Sequence, residues 1–248
     1  MIKAIFFDFY NTLVRFWPPV EQIQIASCRK LGVSVTKDGI QKGYSLADDY
    51  FTRENSKFPL VKRSVKERDM FFAQYEQLIL RGSGLDVTLD LARCVWKLTT
   101  IVPKSFVPFD DAIPTLRRLK ELGLTLGLLS NLHRDMAVLT QQLHFEPYLD
   151  FCITSREVGA EKPHPTIFLS ALARAGVELE EAVHIGDQIY SDVQGAKGIG
   201  ILPILLDRDD RHVDVTDCHR IRSLSEVEGL VGSCLQNAVP VFNAPVAD

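Results

Sequence analysis

Apolar positions along the chain fall into two patterns. Short unbroken apolar runs recur at 3–7, 124–129, 151–154, 182–185 and 201–206. Runs this short with no polar face read as strands buried on both sides, as in a parallel sheet. Between the first and second runs the pattern is helical, with no convincing strand from 20 to 104. The spacing predicts helices over 21–31, closed by Gly32, over 36 to about 51, over 61–80 as the longest, and over 86 to about 98 with Asp86 as a cap. Further helices are expected from Asp110 or Asp111 to 122, with Pro114 in the first turn, from 134 to 143, and in a segment ending at Gly176.

Alternation of buried strands with helices implies right-handed crossovers and a sheet covered on both faces. The expected fold is therefore α/β: a Rossmann-like parallel five-stranded core sheet with helices on both faces, interrupted by an α-helical insert. Trp17, Pro18 and Pro19 mark the exit from the first strand as a loop. The expected division is a core of 1–15 and 105–238, a helical domain of 16–104, and a loosely ordered tail of 239–248 containing Pro240 and Pro245.

In an open parallel sheet, ligands bind beyond the carboxyl ends of the strands. Asp8, Ser130 with Asn131, and Asp187 each lie just past such an end, and Lys162 lies in the loop after another. Singly, each reads as a turn residue or a helix cap. Their convergence on one edge of one sheet points to a functional site.

Composition narrows the class. With 46 % hydrophobic and 24 % charged residues the chain is an ordinary globular protein, and charged residues interrupt every apolar run before it could span a membrane. There is no signal-peptide layout, and a cytoplasmic location is expected. A net charge of -4 argues against general nucleic-acid binding, so small molecules are the expected partners; oligomeric state is not legible. Five scattered cysteines suggest neither a disulfide framework nor a zinc site, and Cys152 reads as core filler. The basic stretch from Arg53 to Arg68, with Arg63 and Lys66 in it, reads either as a solvated helix face or as a surface that draws in an anionic substrate. His133 and His164 read as surface or helix-start residues, and His184 as a core histidine.

Four motifs in order carry a family resemblance: Asp8-Phe9-Tyr10-Asn11-Thr12, Ser130-Asn131, Lys162-Pro163, and Gly186-Asp187 with Asp192 five residues on. Together they resemble the haloacid dehalogenase superfamily of aspartate-nucleophile hydrolases over almost the whole chain, the helical insert resembling its cap domain. The resemblance implies Asp8 as nucleophile, Tyr10 and Lys162 as further catalytic positions, and Thr12, Ser130 and Asn131 as contacts to a small anionic substrate. It implies Mg²⁺ at Asp8, Tyr10, Asp187 and Asp192, and hard oxygen ligands suit that ion.

Two positions pull in different directions. Tyr10 stands where the superfamily's phosphatases usually carry a second aspartate that protonates the leaving group and activates water. A phenol, ordinarily of pKa about 10, is a poor base near neutrality. A tyrosine here resembles the metal-free 2-haloacid dehalogenases, whose departing halide needs no proton. Asp187, where those enzymes have a serine, resembles instead the Mg²⁺ site of the phosphatases, since a further buried anion without a cation is costly. The expected activity is Mg²⁺-dependent hydrolysis of a small phosphorylated metabolite, weakened by Tyr10. The alternatives are a 2-haloacid dehalogenase and a non-catalytic binding module on the same fold.

Overall fold

The computed structural model describes residues 1–132 and 134–236. The tail from 239 and His133 lie outside the described residues. In chain order the elements are β1 (Ala4–Phe7), β2 (Val14–Trp17), α1 (Val20–Lys30), α2 (Lys37–Lys57), α3 (Val65–Gly82), α4 (Leu89–Thr100) and β3 (Ser105–Pro108). There follow α5 (Ala112–Glu121), β4 (Thr125–Ser130), α6 (Met136–Gln142), β5 (Phe151–Thr154), α7 (Ser155–Val158) and α8 (Pro165–Ala175). Then come β6 (Ala182–Gly186), a π-helical turn at Ile189–Gln194 leading into α9 (Gly195–Ile199), β7 (Leu202–Leu206), β8 (His219–Ile221) and α10 (Val227–Gln236). The chain divides into two compact units, one of Met1–Arg15 with the chain from Pro108 onward, the other Phe16–Val107.

The first unit is an α/β layer structure around a parallel sheet of order β5-β4-β1-β6-β7-β8. All four residues of β1 are buried, as its unbroken apolar run requires of a central strand. Phe6, Phe151, Ile153, Ile167, Phe168 and Ile201 pack together, closing β1 and β5 against α8. Among the described residues the sheet has six strands rather than the expected five. The additional strand, β8, reads His-Arg-Ile, and of its three residues only Ile221 is buried, so no apolar run announces an edge strand of this kind. Segment 14–17, expected as part of a loop, pairs with β3 in a two-stranded sheet.

In the second unit, α2 rather than α3 is the longest helix, with 21 residues against 18. Pro59 follows its end, and after a short 3-10 turn at Leu60–Lys62 the next α-helix is capped by Ser64, whose hydroxyl accepts from Glu67 N while the Glu67 carboxylate accepts from Ser64 N. The fourth helix starts two residues later than expected, capped by Thr88 rather than Asp86: the Thr88 hydroxyl accepts from Leu91 N. Helices α2 and α3 pass backbone to backbone, since a Cβ on Gly43 would strike the Ile79 carbonyl and one on Gly82 the main chain of Gly43. Among the described residues, no helix is long and apolar enough to cross a membrane.

Inside this unit Glu76 is completely buried. One carboxyl oxygen accepts from the Gln24 amide, while Oε2 has no hydrogen-bond partner. Burial raises the carboxyl from its ordinary 4.5 to about 8, with Gln24 opposing the shift. The folded state therefore keeps a proton that the unfolded chain releases. The contribution is fully present below pH 4.5 and is lost as the pH rises to about 8. In chemical denaturation the wild type should lose stability relative to Glu76→Gln across this window, by up to on the order of 5 kcal/mol. Parallel pH profiles for the two proteins would contradict this.

Candidate active site

Strands β1, β4 and β6 run side by side in parallel, with Phe7 level with Leu128 on one side and Ile185 on the other. Just past these positions the chain leaves the sheet three times at one edge: Asp8 after β1, Ser130 and Asn131 at the end of β4, Gly186 and Asp187 at the end of β6. Asp8 N still donates to Ile185 O, at 2.8 Å, so ladder bonding reaches the first residue of the site. Beyond it the chain turns sharply. Leu13 N and Val14 N both donate to Phe9 O, Asn11 N donates to Val14 O, and Asn11 takes a φ of 60°. Asparagine tolerates that left-handed conformation better than most residues. Tyr10 is half-buried within this turn and bridges to Val14.

Lys162 ties the edge together. Its ammonium donates to Asp8 Oδ1 at 2.6 Å and to Asp192 Oδ1 at 2.7 Å, and the side chain is buried. The main chain of Lys162 is itself clamped. Lys162 N donates to Asn131 Oδ1 at 2.8 Å, and Asn131 Nδ2 donates to Lys162 O at 3.1 Å. Asn131, expected to contact substrate, thus has both ends of its amide engaged in placing the lysine. Ser130 is buried at the end of β4, and its hydroxyl oxygen accepts from Leu132 N at 3.1 Å. Thr12, also expected at the substrate, is wholly buried, and its hydroxyl has no hydrogen-bond partner.

Asp192 makes two further contacts. His184 Nε2 lies 2.9 Å from Oδ1, and Gln188 N donates to Oδ2 at 3.1 Å. The approach is possible because residue 186 is glycine: a Cβ there would fall well inside contact distance of the Asp192 carboxylate. His184 is buried in β6, edge-on to Phe168, consistent with a core histidine, but its contact with Asp192 was not legible from spacing. A polar residue within an otherwise apolar strand was the only signal of it.

The charges act on one another. Burial raises the Asp8 carboxyl; Lys162 pulls it down and Asp192 pushes it up, and the balance lies at about 6. Burial also opposes ionisation of Asp192, but Lys162 and His184 outweigh it and hold this carboxyl well below the carboxylate range. Lys162 stays above the usual lysine value, burial being outweighed by Asp192 and Asp8. Asp192, expected at the metal, thus also has its charge stabilised by protein groups.

Asp8, Asp187 and Asp192 nevertheless each present a carboxylate oxygen within 4.8 Å of the others. Three hard oxygen donors at this spacing fit a small divalent cation in chemistry. Elsewhere, the Cys152 thiol is half-buried and pushed by burial up to about 11, as suits packing rather than nucleophilic chemistry. His164 caps α8, its Nδ1 accepting from Thr166 N. Arg63 donates to the carbonyls of Phe58 and Glu54 and lies over the rings of Phe58 and Phe71. It fastens the end of α2.

The profile of the haloacid dehalogenase-like hydrolases matches residues 2–200, and the chain belongs to that family. It is therefore a hydrolase. It is 29 % identical over 213 residues to a glyceraldehyde 3-phosphate phosphatase of Methanopyrus kandleri, covering 84 % of this chain and 85 % of that one. It is 27 % identical over 243 residues to a ribulose-1,5-bisphosphate 5-phosphatase of Halopiger xanaduensis, covering 93 % and 100 %. A 2-haloacid dehalogenase from Pseudomonas syringae pv. Tomato DC3000 superposes with a TM-score of 0.56 at 23 % identity, over 94 % of this chain and 99 % of that one, a likeness of fold.

Removing the shared cation should be severe. Lys162→Met leaves two buried carboxylates facing each other, and loss of one partner of a buried ion pair costs about 3–5 kcal/mol. Denaturation at mildly alkaline pH should show a loss of this size, narrowing as the pH falls towards about 6, because Asp8 without the lysine takes up a proton at a higher pH than in the wild type. A loss under about 1 kcal/mol, the range of exposed pairs, would contradict the arrangement.

Proposed function

We propose that this protein is a Mg²⁺-dependent phosphatase in which Asp8 attacks the phosphorus of a small phosphorylated substrate. The observation that carries the reading is the grouping of the Asp8, Asp187 and Asp192 carboxylates within 4.8 Å at the edge where Lys162 grips Asp8. The phosphatase names of relatives aligned over most of the chain support it. They also suggest the substrate class, a phosphate ester of a small sugar or hydroxycarbonyl compound. The helical unit, Phe16–Val107, is assigned the part of a cap that selects among such esters.

Asp8, Asp187 and Asp192 would hold the ion, with Tyr10 the remaining metal position. Bound there, Mg²⁺ supplies positive charge for the phosphoryl oxygens. An Asp8 oxygen forms a bond to phosphorus while the ester oxygen leaves with the bonding electron pair and takes up a proton. Water then attacks the same phosphorus, Asp8 departs as carboxylate, and phosphate is released. Lys162 keeps Asp8 placed and offsets charge in both steps. Ser130 and main-chain donors near it bind a phosphoryl oxygen, while Asn131 acts by holding Lys162 and Thr12 through the main chain of its turn. Tyr10 occupies the acid/base position, and a phenol serves poorly as the base for water, so the second step is the slow one.

A second reading, metal-free hydrolysis of a 2-haloacid through Asp8, is favoured by Tyr10 and by the compensation of Asp192 by Lys162 and His184. A third is a binding module without turnover. The reading is tested with p-nitrophenyl phosphate, whose leaving group departs as an anion and needs no acid at Tyr10. Turnover should require Mg²⁺, vanish with EDTA and fall at least about a thousandfold in Asp8→Asn, as expected for loss of a nucleophile. Halide release from 2-haloacids that survives EDTA, with no phosphate release, would establish the second reading. Ligand binding with neither product would establish the third.

A further inference from the structure

Arg208, just past the end of β7 and beyond the segment matched by the family profile, sits behind the nucleophile turn. Its guanidinium makes two parallel bonds to Asp111, Nη1 to Oδ2 at 2.8 Å and Nη2 to Oδ1 at 2.9 Å. Nη2 also donates to the main-chain carbonyl of Thr12 at 2.9 Å. The guanidinium carbon lies 3.8 Å from the centre of the Phe109 ring, and Phe109 N donates to Leu13 O at 3.0 Å. Asp111 Oδ2 accepts as well from Ser223 Oγ at 2.8 Å and from Leu224 N at 2.9 Å. The carbonyls of Thr12 and Leu13 are thus bound to a charge-assisted network that reaches the chain after β8.

Such fixation is selective in its effect. A bidentate guanidinium–carboxylate pair sets position and angle together, which a lysine cannot do. Thr12 is separated from Asp8 only by a turn whose hydrogen bonds run from Leu13 and Val14 back to Phe9, so displacement at Thr12 is passed on to Tyr10 and Asp8. Misplacing reacting groups by about 1 Å is enough to slow chemistry about a hundredfold. Asp111 was expected from the sequence only to start a helix. It lies at the N-cap position of α5, but its carboxylate caps nothing there and serves this network instead.

We propose that Arg208, oriented by Asp111, is a positioning residue that holds the nucleophile turn in register through the Thr12 carbonyl. Its consequence for turnover rests on the phosphatase reading above; its consequence for the turn does not. The test uses the full chain with Arg208→Ala, and Asp111→Asn as a milder variant if the first does not fold. Two readouts are taken from each.

In hydrogen exchange, the amides of Asn11, Leu13 and Val14 should exchange at least about tenfold faster than in the wild type, while those of β5 do not change. With p-nitrophenyl phosphate, kcat/KM, which reports the attack by Asp8, should fall at least about tenfold, and guanidinium ion added to Arg208→Ala should restore part of it. Unchanged exchange in the turn overturns the proposal whatever the activity. Faster exchange with an unchanged kcat/KM, or equal loss of protection across β5, overturns it as well. A wild type without phosphatase activity would defeat the phosphatase reading alone, leaving exchange to decide the clamp.

Discussion

The lysine ammonium shared by Asp8 and Asp192 is the interaction on which the site depends. Two carboxylates brought together away from water repel, and without a cation one of them would be neutral. Lys162 lets both remain available as anions. It does so with its own main chain fixed by Asn131, so the charge is held at a defined place. The Asp8 carboxyl still sits at about 6, well above the ordinary range. In the proposed reaction an Asp8 so poised would be helped further by a divalent cation at the three-aspartate cluster, where metal charge and the lysine would share the stabilisation.

The fold produces this convergence with little local ingenuity. Parallel pairing of β1 with β4 and β6 delivers the ends of three strands to the same height. The turn after β1 then reverses the chain within a few residues, with Asn11 in the left-handed region and Arg208 behind it. Residues far apart in sequence, from Asp8 to Arg208, become one assembly because the sheet orders them.

Much of this is legible in the order of residues alone. The five apolar runs lie on five of the six strands of the parallel sheet, and Asp8, Lys162 and Asp187 come together where strand ends were expected. What escaped had a physical reason in each case. β8 lacks an apolar run because it is short and mostly polar on its faces. Thr88 and Asp86 are both competent caps, and only the turn geometry chooses between them. The roles of Asn131, His184, Asp111 and Arg208 depend on contacts between segments distant in sequence, which neither periodicity nor local spacing encodes. Arg63, read as part of either a solvated helix face or a substrate-attracting surface, is engaged by two carbonyls and two aromatic rings, contacts that its place in a basic stretch does not announce.

The central claim, that Asp8 carries the transferred group, is tested most directly by acid-quenching the enzyme during turnover of a phosphate ester and mapping its peptides by mass. The account predicts a phosphoryl group on the peptide containing Asp8, accumulating because Tyr10 makes its release slow, and absent from Asp8→Asn. An enzyme that releases phosphate at the same rate while that peptide stays unmodified at every quench time would contradict it.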